Sequence, residues 1–410
     1  MLIPCPICES IDITNLFNLN CGSFDDSPLY KKVRLCLCLK CGHIFNELTP
    51  KEIGGLAKYY SSEYANYNLK NSDKTSDRPG SENSSSRGRY EQLYSSFKSH
   101  IDLDSNILDI GCALGGFLDF LHAKGFTKLF GVDNNQTYID NVEQKNNRVI
   151  KFGDAESLPF EDHTFDVVIM EQVLEHLHEP AKAFDEIRRV LKKNGILCVG
   201  VPDAARYNDY YFFDFYWLLM REHIQHFDPP HLALLGEQTG FKSIDSFKLE
   251  NKIIGNEMIM PTIYTTFRKT KKSKTTKHCS SNLSELKEKM LMYINTEKTK
   301  QASKRREIKI LENSQKSIYV WGIGREFLYL YVNGLDKCNI LGLIDSNPFK
   351  QKNHAVNGMK ISDAKNLLSK ANIDSGLLIA ANAYTSSISK TAKSLGYSGS
   401  ILGPIIRDTI

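Results

Sequence analysis

The stretch Asn106-Ile-Leu-Asp-Ile-Gly-Cys-Ala-Leu-Gly-Gly-Phe-Leu118 decides the reading of this chain. A short apolar run enters a glycine-rich turn and leaves as the start of a helix. Gly111 and Gly115 let the backbone approach a ligand closely and leave amides free at a helix N-terminus. Working outward, Leu129-Phe-Gly-Val-Asp133 is a second strand that ends in an acid about 20 residues on, where a carboxylate can take both hydroxyls of a ribose. Gly153-Asp154-Ala155 follows a third strand. Phe165 to Met170 makes a fourth, and Gly195 to Gly200 a fifth before Pro202. Short β-branched runs alternating with helical patterns predict a parallel sheet covered by helices.

The chain has 410 residues, 41% hydrophobic and 24% charged, the balance of a globular protein with more than one core. A net charge of +4 is too mild to imply a nucleic-acid partner. The start, MLIPCPICES, has neither a basic segment nor an apolar run. The most apolar stretch, Tyr210 to Met220, is interrupted by Asp214 and falls short of the roughly 20 residues of a membrane span. A cytoplasmic protein is expected, with its ten cysteines reduced or bound to metal.

Six of those ten cysteines lie in the first 58 residues. Cys5-Pro-Ile-Cys8 and Cys38-Leu-Lys-Cys41 are two knuckles, each able to aim two thiolates at one ion. Together they predict a closed tetrahedral S4 site for structural Zn2+, with no open position for a catalytic water. Near the other end, Ser317 to Arg325 is a strand entering a turn at Gly322 and Gly324; Leu341 to Pro348 and Gly376 to Ala381 give two further strands. A second, smaller strand–helix unit is expected there, either binding a nucleotide or acting as a structural cap.

The segments around the first turn resemble the S-adenosylmethionine-dependent class I methyltransferases. The resemblance rests on Asp109, Gly111, Gly115, Asp133, Asp154 and the post-strand segment Glu171 to His176. It implies a Rossmann-like α/β core with Asp133 on the ribose of S-adenosyl-L-methionine, Asp154 and Ala155 by the adenine, and the Gly111–Gly115 loop around the amino-acid part, with Asp109 and Glu171 beside it. The usual second glycine is Ala113 here, which constrains the loop and argues against a dinucleotide site. The order of zinc ribbon (1–58), Tyr-rich lead-in and mobile loop (59–89), methyltransferase domain (90–268), basic helical linker (269–315) and C-terminal Rossmann-like substrate domain (316–410) is similar to that of the sugar C-methyltransferases, which act on a nucleotide-linked 4-keto-hexose. That likeness implies substrate contacts from Tyr64 and Tyr67, and from Gly322, Gly324 and Arg325.

Methylation of a carbon beside a ketone needs a base, and histidine titrates near working pH. In the sugar C-methyltransferases a Glu-His pair after the fifth strand supplies it. The matching stretch is Arg221-Glu-His-Ile-Gln-His-Phe227, which makes His223 the base, Glu222 its neighbour and His226 a structural residue. The preceding Tyr-His of that family is Met220-Arg221 in this chain. His176 and His178 are too close along a helix to face one ion, and Asp228-Pro-Pro-His231 lies in the wrong place for the DPPY of amino-group methyltransferases. Related proteins with similar segments methylate oxygen, and some RNA methyltransferases join a cysteine zinc site to this core. Lysines at 269–277 and the basic run Lys298 to Arg306 are the candidate phosphate contacts for that alternative. The expected acceptor is a small molecule.

Overall fold

The computed structural model describes residues 3–68, 86–142, 148–213, 215–253, 258–272, 283–369, 371 and 373–402. The serine- and asparagine-rich loop expected before residue 89 lies largely outside these, as does most of the lysine run at 269–277. The chain divides into two compact units. The first comprises Met1–Phe17, Arg34–Phe212 and Glu222–Met292; the second comprises Asn18–Val33, Phe213–Arg221 and Tyr293–Ile410.

A small sheet runs β1 (Ile13–Asn20), β2 (Lys32–Cys38), β3 (Ile44–Asn46) and then the distant pair Gln225–His226, with β2–β3 and β3 to that pair antiparallel. Thr49 caps the helix that follows, Pro50–Lys58, in a reciprocal capping box with Glu52. That helix passes into a π-turn over Tyr59–Glu63 and a last turn at Tyr64–Asn68.

The main sheet of the first unit contains β4 (Ile107–Ile110), β5 (Leu129–Asp133), β6 (Val149–Phe152), β7 (Phe165–Glu171), β8 (Leu191–Pro202), β9 (Phe241–Ile253) and β10 (Met258–Lys269). Its order is β9-β10-β8-β7-β4-β5-β6. The pairs β4–β5, β4–β7, β5–β6 and β7–β8 are parallel, while β9–β10 and β10–β8 are antiparallel. All four residues of β4 are buried, because helices cover both faces of a central parallel strand. Leu108, Ile110, Val168 and Met170 feed one core; Ile107, Val167 and Ile169 feed the other. Cys5, Ile7, Cys38, Cys41 and Phe45 belong to the first of these cores, so the cysteine-bearing segments pack on the main sheet. From β4 the chain steps outward to β5 and β6, then returns to β7 on the other side of β4. That reversal opens a crevice at the carboxyl ends of β4, β5 and β7, the place where open α/β sheets bind ligands.

The second unit holds a six-stranded sheet: β11 (Ile318–Trp321), β12 (Ile340–Ile344), β13 (Ala355–Val356), β14 (Met359–Ser362), β15 (Gly376–Ile379) and β16 (Ser400–Leu402), in the order β13-β14-β12-β11-β15-β16. All its pairings are parallel except the β13–β14 hairpin. That hairpin turns on Asn357-Gly358 with φ of 50° and 77°, as a two-residue loop requires. Asp25 accepts from both turn amides, at 2.8 and 2.9 Å. Arg221, which stands where the sugar C-methyltransferases have a histidine, is buried in this unit: its guanidinium donates to the carbonyls of Gly22 and Tyr30 at 2.6 and 3.1 Å. The helix Leu283–Asn313 spans most of the expected basic linker. Among the described residues, no helix is long and apolar enough to cross a membrane.

Candidate functional site

The turn after β4 carries φ of +75° at Gly111, +46° at Ala113 and +79° at Gly115. A Cβ on Gly111 would lie 2.4 Å from Val173 Cγ2, and one on Gly115 would lie 2.8 Å from both Arg148 Nη1 and Ile150 Cδ1. Ala113 keeps its left-handed conformation at about 1–2 kcal/mol. Its amide donates to Asp133 Oδ2 at 2.9 Å, which holds the loop against the end of β5. Asn135 N donates to Asp133 Oδ1, also at 2.9 Å. A carboxylate has about four acceptor positions, so each oxygen of Asp133 keeps one for a vicinal diol. Gly153 N donates to the Asp133 carbonyl at 3.0 Å, bringing in the next turn. There Asp154 is exposed and accepts from Glu156 N at 2.9 Å, while Ala155 is buried.

Under this loop the site is acidic. Asp109 is buried, and desolvation followed by repulsion from Glu171 and Asp133 holds its carboxyl well above the usual range. Burial likewise raises Asp133, against the two amides that favour its charge. Glu171, at the end of β7, accepts from Tyr264 Oη at 2.9 Å and pairs with Arg89 Nε at 3.5 Å. Gly200 makes room for this contact, since a Cβ there would meet the Tyr264 ring and Glu171 Cγ. Three carboxyl groups against one arginine suit a ligand that carries positive charge.

The segment after β7 joins this acidic pocket to a histidine cluster. Val173 covers Gly111, and the turn Leu174–His176 follows at once. His176 Nδ1 donates to the Glu222 carbonyl at 2.6 Å and lies 2.9 Å from Tyr60 Oη. The His176 and His223 rings are 5.1 Å apart. Glu175 is fully buried, and desolvation pushes its carboxyl up to about 8, with Glu171 adding repulsion. Its Oε1 lies 3.8 Å from His176 Nε2. His223 is held through its main chain: Asn46 Nδ2 donates to its carbonyl at 2.9 Å, and the next amide, Ile224 N, donates to the Glu175 carbonyl at 2.8 Å. Glu222 meets the cluster through its own carbonyl. His226 is buried under Tyr207, whose hydroxyl is 3.3 Å from Nδ1.

Sequence reasoning took His176 as the end of the post-strand segment and compared it with His178, but missed its meeting with His223. It missed Arg89, and took Tyr60 and Glu175 only as members of the Tyr-rich lead-in and of the post-strand segment. Of the tyrosines it did name, Tyr64 packs edge-on against Tyr138, and Tyr67 donates to Glu63 Oε2 at 3.2 Å. Asp228 is a helix cap, accepting from His231 N at 3.0 Å. Cys5, Cys8, Cys38 and Cys41 come together: Sγ separations are 3.6 Å for Cys5–Cys41 and 3.5 Å for Cys8–Cys38. Four thiolates about 2.3 Å from one zinc would be about 3.8 Å apart, so the cluster fits that ion. In the second unit, Gly322 has φ of +100°, Gly324 opens the helix Arg325–Val332, and the Arg325 guanidinium lies 4.5 Å from the Trp217 ring centre. Asp345, at the end of β12, accepts from Ile323 N and pairs with Lys350 Nζ, both at 2.9 Å.

Residues 108–199 match the family described as Methyltransferase domain. The chain is similar to a probable S-adenosylmethionine-dependent methyltransferase of Mycolicibacterium smegmatis, 30% identical over 29% of this chain and 46% of that protein. It is similar to a sterol 24-C-methyltransferase of Schizosaccharomyces pombe, 32% identical over 28% of this chain and 32% of that protein. A solved structure, the PH0226 protein of Pyrococcus horikoshii, is 24% identical with a TM-score of 0.37 and covers 45% of this chain and 91% of that one. The chain spans 30% to 52% of the length of the first curated relatives it matches.

Proposed function

We propose that this chain, an S-adenosylmethionine-dependent methyltransferase by its central domain, methylates a small molecule, a nucleotide-linked keto-sugar, on carbon next to the ketone. The observation that carries this reading is the single segment Glu171 to His176. It lines the acidic pocket at Glu171, covers the glycine loop at Val173 and reaches His223 through His176.

Asp133 would hold the ribose hydroxyls, Asp154 and Ala155 would border the adenine, and Asp109 with Glu171 would face the cationic amino-acid end, across the loop from Gly111 to Gly115. Bound S-adenosylmethionine supplies a methyl group on a sulfonium. His223 would take the proton from the carbon beside the ketone. The electron pair of that C–H bond then forms the enolate, whose carbon makes the new C–C bond as the methyl–sulfur bond breaks and its electrons stay on sulfur. Tyr60 and His176, both hydrogen-bonded to the Glu222 carbonyl, would face the acceptor from the other side. Transfer to an oxygen would use the same base on a hydroxyl. The four cysteines would hold a structural zinc, and Gly322, Gly324 and Arg325 would serve as the substrate contacts of the C-terminal domain. The working division is 1–58, 59–89, 90–268, 269–315 and 316–410, in a cytoplasmic protein.

The test is incubation of the protein with S-adenosylmethionine and a nucleotide-linked 4-keto-6-deoxyhexose, followed by product mass and fragment ions. A methyl on a ring carbon, lost in His223→Ala with cofactor affinity unchanged, is the expected result. A methyl on oxygen would remove the enolate step. Cofactor binding without transfer to this or other carbohydrates, together with transfer to RNA, would overturn the small-molecule acceptor.

A further inference from the structure

We propose that Glu175, His176 and His223 form a second metal site, distinct from the cysteine cluster, that takes a divalent transition-metal cation. A donor atom from each of the three lies within 4.8 Å of the others. His176 Nδ1 is committed to the Glu222 carbonyl at 2.6 Å, and Tyr60 Oη donates to the same carbonyl at 3.4 Å. That bond fixes the proton on Nδ1 and makes Nε2, the nitrogen 3.8 Å from Glu175, an electron-pair donor. Metal-binding histidines are oriented in this way, by donating the other N–H to a carbonyl.

The independent observation is Glu175 itself. It is 1% exposed, and among the described residues neither carboxylate oxygen has a hydrogen-bond partner. A buried carboxyl left in this way either keeps its proton or exchanges it for a cation that completes it. Two imidazoles and one carboxylate match zinc, cobalt, manganese or iron in the divalent state, and not magnesium or calcium, which prefer an all-oxygen shell. Bonds of about 2.0–2.1 Å place donors roughly 3.4 Å apart, so closure asks for side-chain rotations on the order of 1 Å. The two histidines are half-buried, which leaves one side of the cluster open to a water or an acceptor oxygen.

A neutral imidazole has one basic electron pair. A cation that occupies the pair of His223 removes it from proton transfer, so the loaded form and the base-competent form exclude one another. This consequence rests on the reading of His223 as the base; the binding does not.

The experiment is a Co2+ titration of the full chain with its cysteine cluster already filled by zinc. Cobalt on nitrogen and oxygen gives visible d–d absorption without the near-ultraviolet sulfur-to-cobalt band. The expected result is one such equivalent, weakened about tenfold or more in Glu175→Gln and in His176→Gln and retained in His178→Ala, with cofactor affinity confirming that each variant is folded. No equivalent of this spectrum, or one that persists in Glu175→Gln, overturns the site. In the same preparation, methyl transfer should fall as cobalt binds and return with a chelator. Unchanged transfer at full occupancy overturns the exclusion of base by metal. If no acceptor is methylated under any condition, the functional reading fails while the cobalt spectrum still decides the site.

Discussion

The side-chain amide of Asn46 donates to the carbonyl of His223 at 2.9 Å, across 177 positions of sequence. Asn46 also donates its main-chain amide to Ile224 O at 2.8 Å, while Ile224 N reaches the Glu175 carbonyl at 2.8 Å. The main chain at His223 is therefore clamped from both sides, by β3 and by the segment after β7. Asn46→Ala removes a mostly buried hydrogen bond worth about 1–3 kcal/mol. The expected result is a fall in kcat of about tenfold with cofactor affinity unchanged, read by steady-state kinetics beside calorimetric titration. Equal losses in both would show a general folding defect.

The clamp extends to the cysteines. Ile44 and Phe45 pair with His226 and Gln225, and the Cys41 carbonyl lies 2.8 Å from His231 Nε2. With the proposed zinc on the four thiolates, Cys41→Ser should lower the unfolding midpoint by about 5 °C or more and reduce methyl transfer, because a structural ion contributes directly to folding. Differential scanning calorimetry together with metal analysis checks this; a variant that loses metal with an unchanged midpoint contradicts it.

Gly111→Ala brings a Cβ to 2.4 Å from Val173 Cγ2 at a φ of +75°. The clash and the left-handed backbone together should weaken S-adenosylmethionine binding about tenfold and destabilise the protein by about 1–3 kcal/mol. Adding Val173→Ala removes the clash and leaves the backbone term. Partial recovery of affinity in the double variant is expected, and no recovery would show that Val173 is not the obstacle.

His226 carries a pH dependence whose sign follows from burial. Desolvation, with a lesser push from His43, lowers it from its ordinary 6.5 to about 3. The folded state keeps the ring neutral while the unfolded state protonates it. Stability is therefore complete above pH 6.5 and is lost as pH falls towards 3, at up to about 1.4 kcal/mol per pH unit. Between pH 6.5 and 5, His226→Asn should lose about 2 kcal/mol less than the parent protein. Urea unfolding at the two pH values measures this, and identical losses would place the acid sensitivity elsewhere.

The five strands read around Asn106 to Leu118 all take their places in the main sheet, because parallel strands buried on both faces announce themselves as apolar runs. Gly111, Gly115 and Asp133 were legible for a related reason: a turn and the next strand end are close in sequence and bound by local geometry. The meeting of His176 with His223 was not legible, because no periodicity links a turn after β7 to a segment beyond β8. Helical spacing compared His176 with His178, yet the chain there makes only a short turn at Leu174–His176 and turns Nε2 towards Glu175. The role of Arg221 was not legible for the same reason: its hydrogen bonds go to Gly22 and Tyr30, far away along the chain.

The second unit draws on Asn18–Val33, Phe213–Arg221 and everything from Tyr293 onward. During synthesis its first piece therefore emerges long before its sheet exists. Until β11 to β16 are made, the carbonyls that will accept from Arg221 are present, but the strands that organise that unit are not. A ribosome halted after Met292 would release a chain with two orphaned segments, each still lacking its sheet. The same interleaving means that no single cut in the gene yields both halves whole.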